Sequence, residues 1–182
     1  MHTLIIYHSD YDHTTQIAKA IKAGVLAAGN DADVVKHELV GDFNIDDLKH
    51  ADVIIFGAPV HMGSMAWQMK KLLDATANLW MEAALEGKVA AAFVTCGGFG
   101  GAGGGAEHSL IGLHSHALEH GMLVIGFPKT LPGFSDAGLQ WGLCVRTGNH
   151  EGMPTAINDR QLLAARSYGS HVRETAGRIL RD

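Results

Sequence analysis

The chain has 182 residues, about the size of one domain, and its formal net charge of −5 argues against a broad nucleic-acid surface, which needs a basic face. Hydrophobic residues make up 47% of the sequence, which excludes a disordered chain, and two cysteines cannot form a disulfide framework. The sequence lacks a signal-peptide pattern and an apolar run of about 18–20 residues, so we expect residues 1–182 to form one cytoplasmic domain without a membrane span.

The first part of the chain predicts a strand, a helix and a second strand. Residues 4–7 form a short continuous apolar run, which is typical of a buried strand. Residues 12–15 have the composition of a helix start, and apolar residues then repeat at helical spacing up to a stop signal at Gly29 and Asn30. Residues 33–39 predict a second strand with a weaker pattern.

The middle of the chain repeats this alternation. Residues 53–57 predict a third strand, which we expect to end before Pro59 because proline cannot continue a central strand. A core-facing helix is predicted over residues 65–76, where apolar side chains recur at helical spacing. Residues 89–95 predict a fourth strand, and the run 97–105 that follows contains seven glycines in nine residues.

The last part predicts two helices and one more strand. A helix is expected over residues 107–120, a fifth strand over 122–127, and a long amphipathic helix over 159–180. Residues 128–157 have no clear period. They are expected either to cover a site or to contribute to an interface.

Fully apolar strands that alternate with helices predict a parallel sheet with helices on both faces. The expected architecture is therefore a five-stranded, doubly wound α/β domain. Ligands of such domains bind beyond the carboxyl ends of the strands. The residues that directly follow each strand are thus the candidates for a site.

The loop after the first predicted strand is a candidate anion site. Residues 9–15 carry hydroxyl groups and lead into a helix, whose free N–H groups and dipole stabilise a phosphate. The loop has no lysine, which separates it from a Walker motif. An equally weighted alternative is that Ser9 or Asp12 only caps the helix.

Two further loops end at the same predicted sheet edge. They comprise residues 59–65 after the third strand and residues 95–99 after the fourth. Few bulky side chains stand in these loops, so backbone N–H and C=O groups can approach a flat ligand closely. One phosphate-binding loop beside two such loops favours a phosphorylated aromatic cofactor.

The ordered motifs of the chain resemble a known family. The sequence is similar to the flavodoxin-fold NAD(P)H:quinone oxidoreductases of the tryptophan-repressor-binding-protein family. The match in order and spacing covers residues 3–127, and the last predicted helix also resembles that family. The motifs that carry the resemblance are Ser9-x-Tyr11-x-His13-Thr14, Ile55-Phe56-Gly57-x-Pro59, Met65-x-x-Gln68-Met69, Leu73-Asp74-x-Thr76, Leu79-Trp80, Leu85-x-Gly87-Lys88, His120-Gly121-Met122 and Leu162-x-x-Ala165-Arg166.

The resemblance implies a flavodoxin-like, three-layer sandwich with strand order 2-1-3-4-5, non-covalent FMN, and NAD(P)H as co-substrate. It also implies substrate contacts from Tyr11 and from Trp80 of a neighbouring subunit, in a homodimer or homotetramer, and it places His120 in the pocket. We expect His61 and His120 to act in catalysis as donors near developing negative charge. The residues implied to bind FMN are Ser9, Asp10, Tyr11, Asp12, His13, Thr14, Pro59, Val60, His61, Met62, Thr95, Cys96, Gly97, Gly98 and Phe99.

The sequence therefore predicts an enzyme that passes a hydride from NAD(P)H through FMN to a quinone or similar acceptor. Two alternatives remain at this stage. One is a flavodoxin-like carrier of single electrons, and the other is a flavin-free regulatory module, which Asp10 and Asp12 in the phosphate loop favour. No native metal site is expected, because no carboxylate or cysteine cluster completes the pair His116 and His120.

Overall fold

A computed structural model describes residues 1–30, 34–41, 43–98 and 104–180, with the backbone alone over 34–38. Strands and helices alternate along most of the described chain. The strands are β1 (His2–Tyr7), β2 (Val34–Leu39), β3 (Val53–His61), β4 (Ser64–Met65), β5 (Val89–Cys96), β6 (Leu123–Ile125), β7 (Gly138–Leu139) and β8 (Gly142–Arg146). The helices are α1 (His13–Ala28), a 3-10 helix (Ile45–His50), α2 (Trp67–Asp74), α3 (Ala77–Met81), α4 (Ala106–Glu119), α5 (Phe134–Ala137) and α6 (Asp159–Ile179).

The sheet confirms the predicted fold. Strands β2, β1, β3 and β5 lie side by side and parallel, and β8 continues the order beyond β5. Side chains alternate between two apolar cores. Ile5 and Tyr7 of β1 face the layer of α1 and α6, whereas Leu4 and Ile6 face the layer of α2 and α4. All described carboxyl ends of the parallel strands therefore reach the same edge of the sheet.

The predicted fifth strand is wrong in its extent. Strand β6 pairs only with the beginning of β5, and β8 takes the same position beside the end of β5. The apolar residue Phe127 lies outside the ladder because its ring packs into the core against Tyr168 and Phe134. Residues 128–157, where the sequence shows no clear period, thus contain strand β8. Its carboxyl end lies beside the end of β5, at the edge of the sheet where the site is expected.

Strand β3 also differs from its prediction, because it continues through Pro59 to His61. Pro59 pairs with Thr95 of β5, but its carbonyl accepts a hydrogen bond from the N–H of Ala66 on the opposite side. Strand β1 has already ended there, so the missing N–H of proline costs no bond within the parallel ladder. A two-residue turn then joins β3 to β4, and α2 begins two residues later than predicted.

The long helices end close to their predicted limits. Helix α6 begins at a capping box, in which Asn158 and Gln161 each accept from the other's backbone N–H at 3.0 Å. Among the described helices, none is both long and apolar enough to cross a membrane.

Candidate functional site

The loop between β1 and α1 has the geometry of an anion site. Asp12 precedes the helix with φ 65, a left-handed conformation that aspartate adopts more readily than most residues. Its carboxylate accepts from the side chain of Gln16 at 3.2 Å and makes no cap to the helix backbone. Ser9 accepts a long bond of 3.4 Å from the N–H of Thr15. The first N–H groups of α1 are therefore directed at the loop without a carboxylate cap.

A buried hydrogen bond fixes the start of α1 against the end of β5. The hydroxyl groups of Thr14 and Thr95 lie 2.9 Å apart, and both residues are almost fully buried. Because each hydroxyl group of a buried pair has a hydrogen-bond partner, this contact fixes the loop 9–15 relative to residues 95–99, which follow the fourth predicted strand. The sequence predicted each loop separately but not this link.

A cavity of about 190 Å³ opens where these loops meet. It combines residues that lie at, or shortly after, the carboxyl ends of four strands, β1, β3, β5 and β8. Its lining consists of Asp10, Tyr11, His13, Thr14, Pro59, Val60, His61, Thr95, Cys96, Gly97, Thr147, Gly152 and Pro154. Ten of these thirteen residues are among those that the resemblance implies for FMN.

Sequence reasoning missed the three lining residues of the segment 147–155. The N–H of Thr147 donates to the carbonyl of Cys96 at 2.8 Å, which joins this segment to the end of β5. A Cβ atom at Gly148 would lie 2.2 Å from the carbonyl oxygen of Gly97, so only glycine permits this approach. The sequence did show glycine and proline here, at Gly148, Gly152 and Pro154, which are typical turn residues. Of the two roles expected for residues 128–157, covering a site or contributing to an interface, this portion has the first, because it lines the cavity.

The remaining predicted residues lie around the cavity or outside the described chain. Met62 is at the tip of the turn between β3 and β4, with φ 47 and a fully exposed side chain. Gly98 follows the lining residue Gly97 with φ 70. Phe99 lies outside the described residues.

One carboxylate in the loop joins two histidines, and we call this group the His8–Asp10–His61 cluster. Asp10 Oδ1 lies 3.0 Å from His8 Nε2, and Asp10 Oδ2 lies 3.3 Å from His61 Nε2. Both oxygens of the carboxylate are thus engaged. Within the described ranges, no three His, Cys, Asp or Glu side chains are arranged to hold a metal ion, and the His8–Asp10–His61 cluster does not have the geometry of a metal site either.

Comparison with known proteins assigns this arrangement to a family. The sequence model of the NADPH-dependent FMN reductases matches residues 12–129. The chain belongs to this family. A protein named NAD(P)H dehydrogenase (quinone) from Syntrophus aciditrophicus is 30% identical, with 98% of this chain and 99% of that protein covered. One of the same name from Syntrophobacter fumaroxidans is 29% identical over the full length of both chains.

Solved structures share the fold of this chain. A flavodoxin, WrbA-like protein from Agrobacterium tumefaciens superimposes with a TM-score of 0.69 at 27% identity, covering 97% of this chain and 98% of that chain. Oxidised flavodoxin 1 from Bacillus cereus gives a TM-score of 0.69 at 19% identity, with coverage of 96% and 98%, and shows the fold alone. The protein is thus an FMN-dependent NAD(P)H oxidoreductase of the flavodoxin-like type.

The structure does not bring His120 and Trp80 to the cavity of this FMN reductase. Helix α4 starts at the site edge and runs back along the sheet, so His120 at its end lies beside the start of β5, where Gly87 N–H donates to Gly121 C=O. Trp80 lies on α3, about half exposed, and is absent from the lining. Any contact of these two residues with FMN or substrate therefore requires a second subunit.

Thr76 determines which nitrogen of His120 carries its proton. The hydroxyl of Thr76 donates to the carbonyl of Leu73 at 2.7 Å, so its oxygen accepts from His120 Nε2 at 2.9 Å. His120 Nδ1 is left buried without a protein partner, as is Nε2 of His116, whose ring lies 4.7 Å from that of His120. Burial lowers the pKa of His120.

The buried ring of His116 is expected to make the folded protein less stable in acid. Burial, and then the neighbouring His120, lower the pKa of His116 to about 4. The unfolded chain takes up this proton near the ordinary pKa of 6.5, so stability is full above about pH 6.5 and is lost as the pH falls towards 4. Between about pH 7 and about pH 4.5, the free energy of unfolding should fall in both proteins. We expect the fall to be about 2 kcal/mol larger in the wild type than in His116→Leu, which has no ring to protonate. Urea denaturation at both pH values measures this, and equal losses in the two proteins would refute it.

Proposed function

We propose that this FMN-dependent NAD(P)H oxidoreductase delivers two electrons to a quinone or a similar small acceptor. The observation that carries the proposal is the meeting of an anion-binding helix start with two backbone-rich loops at one cavity. The names of the full-length relatives, which are called NAD(P)H dehydrogenase (quinone), support the class of acceptor. The free thiols of Cys96 and Cys144 fit a reducing cytoplasm.

The residues of the loop suit the phosphate of FMN. Ser9 through Thr14 would surround it, with N–H groups of α1 as donors and the helix dipole as the favourable field. The two acidic residues do not oppose this, because Asp10 is paired with His8 and His61 and Asp12 is turned to Gln16. This disposition weighs against the flavin-free alternative, in which a carboxylate replaces the phosphate.

Different residues around the cavity would contact the flavin ring, the substrates and the acceptor. FMN, when bound, accepts a hydride from NAD(P)H and passes the electrons to the acceptor. Val60, Met62 and the loop from Thr95 to Gly98 would line the flat ring, and Tyr11, which is 82% exposed, would meet the substrates. His61 would donate a hydrogen bond where negative charge develops on the acceptor.

A second subunit would supply His120 and Trp80. Their distance from the cavity, together with the exposure of Trp80, is the basis for this part of the proposal. It makes the active species a homodimer or homotetramer, in which the α3 surface of one chain faces the cavity of another. The size of the protein in solution, measured by light scattering, tests this directly.

A variant of His120 tests whether this residue only raises the rate or is required as an acid or base for turnover. We expect FMN-loaded His120→Ala to oxidise NAD(P)H with a quinone at about one tenth of the wild-type rate, because hydride transfer needs no protein base. Steady-state assays on protein with verified flavin content measure this. Complete loss of turnover with flavin still bound would contradict the mechanism. In the wild type, NAD(P)H oxidation without a partner protein excludes the single-electron carrier.

A further inference from the structure

The His8–Asp10–His61 cluster connects two cavities at the site edge. His61 and Asp10 line the cavity proposed for FMN, while His8 lines a neighbouring groove of about 480 Å³, which residues 40–41 and 43–45 form with α2. The side chain of His8 is only 16% exposed, that of Asp10 30% and that of His61 41%. Because His8 is the most buried member and bonds to one carboxylate oxygen, it fixes Asp10 and leaves the other oxygen for His61.

Reduction of a quinone requires a proton that NAD(P)H does not provide. The balanced reaction is NAD(P)H + H⁺ + quinone → NAD(P)⁺ + hydroquinone. The nicotinamide gives up two electrons and one proton equivalent as a hydride, so the second O–H bond of the hydroquinone takes its proton from solvent. When substrates exclude water from the cavity, a protein group must hold that proton beside the acceptor.

We propose that Asp10, fixed by His8, positions His61 to give this proton to the oxygen of the acceptor. The inference rests on the proposed function and extends it to named atoms. Asp10 Oδ2, which lies 3.3 Å from Nε2 of His61, offers an acceptor for a proton on that nitrogen. Nδ1 of His61 then carries the proton that leaves, and the neutral ring takes up another from water after the product departs. Asp10 is a positioning residue, and His61 is the proton donor.

Two acceptors test the proposal because only one of them needs a proton. Quinone reduction consumes a proton, whereas ferricyanide accepts single electrons without one. We expect the ratio of the quinone rate to the ferricyanide rate, measured on FMN-loaded protein, to fall about 10-fold in Asp10→Asn and about 30-fold in His61→Gln. Asp10→Asn removes a negative charge from the phosphate loop, so weaker FMN binding does not account for a lower rate.

Asp12→Asn is the matched control, since it removes the same charge from the same loop without touching His61. Its ratio of quinone to ferricyanide rates should equal that of wild type. A structural readout comes from ¹⁵N NMR of the histidine rings in the flavin-free protein, with the His61 signals assigned by their loss in His61→Gln. We expect the Nε2-protonated form of neutral His61 to predominate in wild type and to lose its preference in Asp10→Asn.

The outcomes separate failure of this inference from failure of the proposed function. Equal effects on both acceptors, or an unchanged tautomer in Asp10→Asn, would overturn the positioning role of Asp10. A wild-type protein that reduces ferricyanide but no quinone would overturn the acceptor class and with it the need for a proton donor. A wild-type protein that oxidises NAD(P)H with neither acceptor would contradict the proposed function itself.

Discussion

FMN is expected to bind about 100-fold more weakly to His13→Glu than to His13→Gln, because a carboxylate on the first turn of α1 repels the phosphate. His13 is the first residue of α1 and lines the cavity. The two replacements have the same size, so the difference between them isolates the charge. Titration of the flavin-free proteins with FMN, followed by flavin fluorescence, measures both affinities.

The same substitution should not weaken the fold. A negative charge near a helix N-terminus stabilises the helix by about 0.3–1 kcal/mol, so the unfolding free energy of flavin-free His13→Glu should equal or exceed that of His13→Gln. Loss of FMN together with a gain in stability is a combination that general damage to the protein does not produce. Equal FMN affinities for the two variants would show that the phosphate does not lie at this helix start.

Gly24→Ala is expected to lower the free energy of unfolding by about 3 kcal/mol. In an isolated helix the change would stabilise by about 1 kcal/mol. Here α1 packs on α6 so closely that a Cβ at Gly24 would lie 1.9 Å from the carbonyl oxygen of Arg166. The hydroxyl of Ser170 also donates to the carbonyl of Gly24 at 2.9 Å, so separation of the helices breaks this bond. Urea denaturation measures the loss.

Gly177→Ala is the control for this prediction. Gly177 lies on α6, but a Cβ there would meet only the guanidinium end of Arg173, a flexible side chain, at 2.7 Å. This variant should gain about 0.5–1 kcal/mol, as expected for alanine in a helix. Similar effects of the two alanines would mean that the close approach of α1 and α6 does not limit the packing.

The sequence predicted those features of the structure that depend on neighbouring residues in the chain. Continuous apolar runs predicted β1, β3 and β5, and the loop after each of these strands contributes to the cavity because parallel strands end at one edge. The left-handed turn at Asp12 was also accessible, since aspartate tolerates positive φ. The family motifs over the first two thirds of the chain added the cofactor.

Non-local contacts account for what was missed. Strand β8 is short and begins with Gly142, and its pairing with the end of β5 on one side and with β7 on the other makes it a strand. Pro59 stays in β3 because β1 ends before it, a fact about a neighbour rather than about proline. The cover over the cavity depends on the contact of Gly148 with Gly97, across about 50 residues of chain.

The position of His120 follows from the topology of the fold. In an α/β unit the helix after a strand starts at the site edge and ends at the opposite edge, so a residue at the end of α4 cannot reach the cavity of its own chain. This could be deduced from the predicted topology alone. The resemblance supplied a role for His120, and the fold keeps this residue away from the cavity of its own chain.

The visible absorption spectrum of the purified protein, recorded after addition of FMN and desalting, tests the central claim most directly. We expect one bound flavin per chain, and we expect its absorbance to be lost on addition of NAD(P)H under anaerobic conditions without any partner protein. A protein that stays colourless after reconstitution would contradict the account, because the loop from Ser9 to Thr15 would then not hold a phosphate.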